Sequence, residues 1–210
     1  SQLDVPVASQ LAVNTLQRSL NCTLVALYVH DQERRELVAL ASAGTRLSIL
    51  PPGYRQGLNV GILGRAARYR KTQVISDTRA EPDFVKLNDE KTLSTVAIPL
   101  VDHGHLKAML EISEDHVNTF GSSDVQIAEA VAAELLRAWE RSEYHQRLTE
   151  LIQAGISLTT QPDPQAAVQE VASITRQTLR ARFAFVTLLD QEGNFTRTAS
   201  KSRSSDAKSV

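Results

Sequence analysis

The stretch GLNVGILGRAARYRK, residues 57–71, decides how the first part of the chain is interpreted. Three glycines precede a basic segment, which is expected either of a loop that cradles a phosphate or of a helix that starts close to another backbone. A phosphate-binding P-loop needs G-x-x-x-x-G-K-[ST], whereas arginine and alanine follow Gly64. A dinucleotide-binding loop would follow a strand, and these glycines follow an irregular, proline-rich loop. We therefore predict a short helix, capped by Asn59, whose first turn lies close to neighbouring backbone.

Alternating and helical patterns surround this stretch and define one α+β domain. An amphipathic helix precedes a hairpin, because residues 7–20 have a helical apolar stripe and residues 23–31 and 36–44 are β-branched runs joined by a polar turn. Three further strands and a closing helix are predicted at residues 72–76, 94–101, 106–114 and from Ser122 onward. Strands joined by tight turns pair antiparallel. The predicted fold is an antiparallel β-sheet with helices packed on one face.

The second part of the chain repeats the first. A shift of 159 residues aligns LNCTLVALYVHDQE (20–33) with LRARFAFVTLLDQE (179–192), and a helical pattern precedes both. Between the two copies the closing helix continues without proline. We therefore predict a domain over residues 1–145, a connector helix over 146–162 and the start of a second, incomplete copy over 163–210.

Composition excludes several classes of function. The 23 Lys and Arg balance 24 Asp and Glu, for a net charge of −1, which gives no indication of a nucleic-acid partner. The single cysteine, Cys22, excludes an internal disulfide or a cysteine-based zinc site. No ligand spacing among the histidines predicts a metal site, and no catalytic arrangement is indicated. No apolar run is long enough to span a membrane, so a cytoplasmic location is expected.

The central stretch and the segments that follow it resemble the GAF domain family. A glycine-bounded helix leads to a short strand, then Ser94–Leu100 reads as S-x-x-A-I-P-L, residues 108–112 read as AMLEI, and FGSSD at 120–124 opens the last helix. The resemblance covers about residues 7–145. It implies a sensory or regulatory module of a signalling protein, such as a two-component system, that is not itself an enzyme. Such modules often occur in tandem before an output domain such as a histidine kinase or a nucleotide cyclase.

The resemblance also implies a small ligand between the sheet and the irregular segments 45–58 and 77–93. The residues predicted for this pocket are Tyr54, Asp77, Arg79 and Phe84, because aromatic rings offer stacking faces and a charged pair can fix polar groups. The ligand or cofactor remains open. A cyclic nucleotide is the alternative, although the family motif F-x-x-x-D-E is one residue longer here, with Phe84 before Asp89-Glu90.

The closing helix is the predicted dimer contact and signal path. Val131, Leu135 and Ala138 are spaced by four and three residues, as in helices that pair in parallel. Ligand binding would shift the opening and closing helices and pass that shift to an output domain outside the chain. The remaining alternative is a homodimeric scaffold that binds no ligand.

Overall fold

The computed structural model describes residues 5–45, 50, 53–86, 91–160, 163–178, 181–189, 192–193 and 195–202. The chain divides into two compact units, Ser1–Ser142 and Glu143–Val210. In chain order the elements are α1 (Val5–Leu20), β1 (Leu24–Asp31), β2 (Glu36–Gly44), β3 (Arg55–Gly57), α2 (Gly61–Tyr69), β4 (Gln73–Ile75), a 3₁₀ turn (Thr78–Ala80), β5 (Ser94–Asp102), β6 (His105–Glu114), α3 (Ser122–Thr160), α4 (Pro164–Thr178), β7 (Phe183–Leu189) and β8 (Phe195–Ser202). Within these residues, no helix is both long and apolar enough to cross a bilayer.

The first unit is built on a six-stranded sheet in the order β3-β2-β1-β6-β5-β4. Every neighbouring pair is antiparallel, and the register sets Leu24 opposite Gly44 on one side and opposite Ser113 on the other. This arrangement confirms the predicted fold class of an α+β domain with an antiparallel sheet.

The two faces of the sheet are covered differently, and β1 shows how. Because successive side chains of a strand point to opposite faces, Val25 and Leu27 lie on one face and Ala26 and Tyr28 on the other. The first face packs against α1 and α3 in a core that includes Val13, Leu16, Ala128, Ala132, Leu135 and Trp139. The second face packs against α2 through Ile62, Leu63 and Ala66. The structure thus adds α2 to the face opposite the helix pair.

The glycine-rich stretch begins α2 as predicted, but its cap differs from the prediction. Val60 is the N-cap and makes no side-chain capping bond, so the expectation that Asn59 caps the helix is wrong. Asn59 lies one residue too early, and Val60 holds the extended backbone that precedes the first turn. The close approach is confirmed, because a Cβ on Gly64 would lie 2.7 Å from the carbonyl oxygen of Leu58.

The second unit contains a helix and a two-stranded sheet. Val168 and Ala172 of α4 pack against Val186 of β7. Phe183, Phe185 and Leu189, on the other face of β7, are exposed. The first residues of α4, β7 and β8 lie 159 positions after those of α1, β1 and β2. The order and spacing of helix and hairpin therefore recur in the second unit.

Candidate ligand-binding site

A cavity of about 30 Å³ lies between the α2 face of the sheet and the segments that cover it. Its lining combines apolar side chains with two polar groups and one tyrosine. The lining residues are Leu24, Tyr28, Leu50, Gln56, Gly61, Ile62, Leu63, Phe84, Val85 and Glu111. A volume of this size holds about two water molecules. It therefore suits one small chemical group, not an extended molecule.

The floor of the cavity comes from two neighbouring strands. Ala26 of β1 is opposite Glu111 of β6, so Tyr28 and Glu111 are diagonal neighbours on the same face. The Tyr28 hydroxyl donates to Glu111 Oε2 at 2.7 Å. The ring of Tyr54 meets that of Tyr28 edge-on, with centroids 6.4 Å apart. The floor is thus an apolar surface with one fixed carboxylate.

One wall is formed where β3 leads into α2. The Gln56 amide donates to the carbonyl oxygen of Val60 at 2.7 Å, and its Oε1 accepts from the Tyr54 hydroxyl at 3.2 Å. Gly61 has a φ of +68°, which favours glycine. A Cβ at this position would lie 3.1 Å from Cγ2 of Val85. This wall therefore depends on a glycine both for its backbone and for its space.

The opposite wall, which carries Phe84 and Val85, is held to α2 by an ion pair. Arg65 Nη1 and Nη2 donate to the two carboxylate oxygens of Glu81 at 2.8 and 3.0 Å. Asp83 lies 3.5 Å from the same guanidinium, and the Phe84 amide donates to the Glu81 carbonyl oxygen. The hydrogen bonds from Arg65 hold the pKa of Glu81 below its usual range. Residues 81–85 are thereby positioned over the cavity.

The structure brings two of the four predicted pocket residues to this site. Phe84 lines the cavity and Tyr54 packs behind Tyr28. Asp77 and Arg79 pair with each other instead, at 2.7 Å, and Asp77 also accepts from the Arg79 amide to cap the 3₁₀ turn. These hydrogen bonds, the one from the guanidinium first, lower the pKa of Asp77 to about 2. Neither residue is among those lining the cavity.

Sequence reasoning missed Tyr28, Gln56 and Glu111. Two signals were available in the sequence. A glutamate stands in the middle of the otherwise apolar strand AMLEI, and strand alternation separates Tyr28 from the residues that face α1 and α3. The pairing of β1 with β6, which joins the two residues, could not be read from either strand alone.

The residues predicted for dimer contact serve the core of their own unit. Leu135 is buried, and Val131 packs half-buried against the same cluster, while Ala138 is half-buried. Exposed apolar side chains occur elsewhere on α3. These are Ile127, Tyr144, Leu148, Leu151 and Ile152.

Two further groups of possible chemical interest lie outside the cavity lining. Glu114, Asp115 and His116 place their ligand atoms within 4.8 Å of one another, but Glu114 already accepts from the amides of Thr23 and Asp115. Cys22 is buried in the cluster on the α1 and α3 face, and desolvation raises the pKa of its thiol to about 11. Asp89 and Glu90, which were weighed for cyclic-nucleotide recognition, lie outside the described residues.

Comparison with known families decides what this architecture is. The family model of the GAF domain matches residues 2–140. The chain belongs to the GAF domain family. The match spans the six-stranded sheet, α1, α2 and the part of α3 that packs on the sheet. The GAF domain is a sensory and regulatory fold, so the match supports the expected class of module.

Solved structures with the same fold include sensory domains and enzymes. The GAF domain of a phosphoenolpyruvate-protein phosphotransferase from Coxiella burnetii is 19% identical, with a TM-score of 0.62 over 68% of this chain and 86% of that one. The free methionine-R-sulfoxide reductase from Neisseria meningitidis, solved in complex with its substrate, is 22% identical, with a TM-score of 0.61 over 68% and 81%. The type II enzyme from Thermoplasma acidophilum is 18% identical, with a TM-score of 0.56 over 64% and 94%. These similarities show the fold alone. A comparison with curated proteins finds no match.

Proposed function

We propose that the chain is a regulatory GAF module that binds a small organic ligand in the cavity on the α2 face. The observation that carries this proposal is the cavity itself, in which the Glu111 carboxylate and the Gln56 amide point polar atoms into an apolar enclosure. Ligand sites have this composition, because apolar walls supply binding energy and a few polar groups fix orientation. A cytoplasmic location belongs to the proposal and agrees with the free, buried cysteine.

The sheet offers a physical route from the cavity to the helices. Tyr28 in the floor and Leu27 beside it belong to the same strand, and Leu27 packs in the cluster that contains residues of α1 and α3. A ligand that favours one position of β1 would therefore shift the packing of α1 and α3. In this proposal α3 passes the change to an output domain outside the chain.

The size of the cavity favours a small ligand over a cyclic nucleotide. About 30 Å³ is far below the 300–1,000 Å³ typical of sites for drug-sized ligands. A nucleotide would require the Phe84 wall to move away from α2, which breaks the Arg65–Glu81 pair. The cyclic nucleotide therefore remains the less favoured alternative.

A regulatory role is supported over a catalytic one by the position of Cys22. Two proteins of the same fold are named as methionine-R-sulfoxide reductases. Thiol chemistry requires an accessible thiolate. The only cysteine of this chain is buried on the α1 and α3 face of the sheet, and its raised pKa keeps it protonated at neutral pH.

The common offset of 159 residues supports a tandem arrangement. Helix and hairpin recur at that spacing, and β7 presents small or apolar residues to α4 as β1 presents Val25 and Leu27 to its helices. We therefore interpret residues 163–210 as the start of a second GAF-like copy, after a domain over 1–145 and a connector over 146–162.

Exposed apolar residues on α3 support homodimerisation through this helix. Tyr144, Leu148 and Leu151 are spaced by four and three residues, and all three are exposed. We propose that these side chains carry the contact, because Leu135 is used by the core. A dimer without ligand would be a scaffold, which is the second candidate function.

Native mass spectrometry of the purified protein tests the proposed ligand. Val85 lines the cavity and is 39% exposed, so Val85→Phe should fill the space without disturbing the core. Val74, which is 46% exposed on β4 and does not line the cavity, provides the matched control Val74→Phe. We expect a small adduct on the native protein and on Val74→Phe that is lost from Val85→Phe.

The scaffold and the sensor give different results in the same experiment. A dimer without adduct, whose melting temperature does not respond to a metabolite library, would support the scaffold and contradict the proposed function. An adduct that persists on Val85→Phe would place the ligand elsewhere.

A further inference from the structure

A second cavity of about 250 Å³ lies at the opposite end of the sheet from β3, between α3 and the open edge of β5. We refer to it as the β5 cleft. Its lining residues are Arg70, Thr72, Ile98, Pro99, Leu100, Val101, Glu129, Ala132, Ala133 and Leu136. None of them lines the cavity on the α2 face. The β5 cleft is therefore a separate place for a ligand.

The β5 cleft exists because β4 is shorter than β5. β4 pairs with Thr95, Val96 and Ala97, and the strand pairing in the described residues leaves Ile98–Val101 without a neighbour on that edge. Pro99 suits such an edge because it has no backbone N–H to donate. Ile98, Leu100 and Ala132 are almost fully buried beneath the cleft, and Leu136 is half-buried beside them. The floor is thus apolar and preformed.

The rim of the β5 cleft carries one cation and one anion. Arg70 follows α2 in a left-handed conformation, with a φ of +52°, and its guanidinium has no ion pair among the described residues. Glu129 of α3 accepts a hydrogen bond from the Thr72 hydroxyl, and no cation pairs with it in the part of the chain that the structure describes. The two side chains are not bridged to each other, since no N–O distance within 4.0 Å joins them.

We propose that the β5 cleft binds a free α-amino acid with an apolar side chain. The carboxylate would pair with Arg70, whose planar guanidinium suits bidentate contact, and the ammonium with Glu129. The side chain would cover Ile98, Leu100 and Leu136. A ligand with only one charge would leave the other rim group without a partner. A cavity of about 150 Å³ accommodates benzene, so this cleft accommodates a molecule of the size of leucine.

Trp139 offers a direct readout of binding. It is the only tryptophan of the chain and lies three residues beyond Leu136 on α3, next to the floor of the cleft. We expect L-leucine to change Trp139 fluorescence saturably. Three analogues test the three parts of the ligand: 4-methylpentanoate lacks the ammonium, 3-methylbutylamine lacks the carboxylate, and glycine lacks the side chain. Each should bind at least tenfold more weakly than leucine.

Variants of the full chain separate the rim from the floor. Arg70→Gln and Glu129→Gln should each weaken leucine binding at least tenfold. Lys71→Gln removes the same charge one residue away and should leave affinity unchanged. Ala133→Phe should fill the cleft and abolish binding without changing a charge. Circular dichroism and thermal unfolding verify that each variant is folded, and the analogue series on the native chain needs no variant.

Three results would overturn the proposal. The first is no saturable response to leucine at millimolar concentration. The second is equal affinity for leucine and 4-methylpentanoate, which would indicate a simple anion site. The third is a fluorescence change that follows protein concentration instead of leucine, which would indicate that a second copy occupies the cleft. None of these results concerns the cavity on the α2 face, so the proposed function is tested separately.

Discussion

Gly64 makes the tightest backbone contact of α2. A methyl group at this position would lie 2.7 Å from the Leu58 carbonyl oxygen and 3.0 Å from the carbonyl carbon of Asn59. Neither atom can move without shifting the chain between β3 and α2. We therefore expect Gly64→Ala to lower the free energy of unfolding by about 1–3 kcal/mol, the range of overpacked sites. Denaturant titration measures this change.

Gly57→Ala is the matched control for this prediction. Its Cβ would meet only Cγ2 of Val60, at an ordinary distance of 3.7 Å. The expected change is within about 0.5 kcal/mol. Equal effects of the two substitutions would contradict the close approach at Gly64.

Arg79 controls the ionisation of Asp77. The guanidinium bonds are the larger cause of the low pKa of Asp77, about 2, and the Arg79 amide is the second. Replacing Arg79 with Gln removes the first cause and keeps the second. The pKa of Asp77 should then rise toward its ordinary 3.8 without reaching it. A carboxyl ¹³C titration by NMR measures both values, and an unchanged pKa in Arg79→Gln would refute the assignment.

The Arg65–Glu81 pair should make stability depend on pH in acid. The folded-state pKa of Glu81 lies below the ordinary value of 4.5. The pair therefore stabilises the fold above that pH, and its contribution is lost as the pH falls through the folded-state pKa. Glu81→Gln should cost about 1 kcal/mol at neutral pH and flatten the decline in melting temperature below pH 4.5. Glu140→Gln, at an exposed position of α3, should leave the decline unchanged.

At the scale of elements, α3 has two parts with different roles. Leu135 packs in the core, whereas Leu148 is 42% exposed. Leu135→Ala should lower the free energy of unfolding by about 2–5 kcal/mol because it opens a cavity. Leu148→Ala should leave stability within about 0.5 kcal/mol but weaken self-association. Unfolding titrations and sedimentation measure the two effects. An unchanged association constant for Leu148→Ala would contradict the proposed contact.

The elements themselves were largely predictable from periodicity. The alternation in LVALYVHD and the helical stripe of Val13 and Leu16 each reflect one buried face, and both are read within a few residues. The cap of α2 was not predictable in this way. Residue type favours Asn59, but the backbone turns at Val60, and that position depends on how Gly64 meets Leu58. Tertiary contact here overrides local preference.

At the scale of the whole molecule, the first compact unit should be stable alone. Both core clusters on the six-stranded sheet are formed by residues before Ser142. A chain that ends at Ser142 should therefore show a cooperative unfolding transition within a few degrees of the main transition of the full chain. Differential scanning calorimetry of the two proteins makes the comparison. Loss of cooperative unfolding in the shorter chain would contradict this assignment of the core.

The candidate site was only partly predictable because it is assembled by topology. Phe84 could be foreseen as an aromatic residue in an irregular segment. Tyr28 and Glu111 are 83 residues apart, and only the central position of β1 and β6 in the sheet brings them together. Asp77 and Arg79 fitted the expected chemistry, but a short side-chain bridge two residues apart satisfies both locally. Residue types thus indicated the kind of site, and strand order determined its members.

The alternation along β1 has a consequence for how this domain can be altered by evolution. Val25 and Leu27 serve the helical layer while Ala26 and Tyr28 serve the chamber on the reverse side, so a single strand separates the two environments. Ligand preference can therefore drift through mutations at every second position while the helix contacts stay intact. Inserting or deleting one residue in this strand would instead exchange the two surfaces and lose both at once.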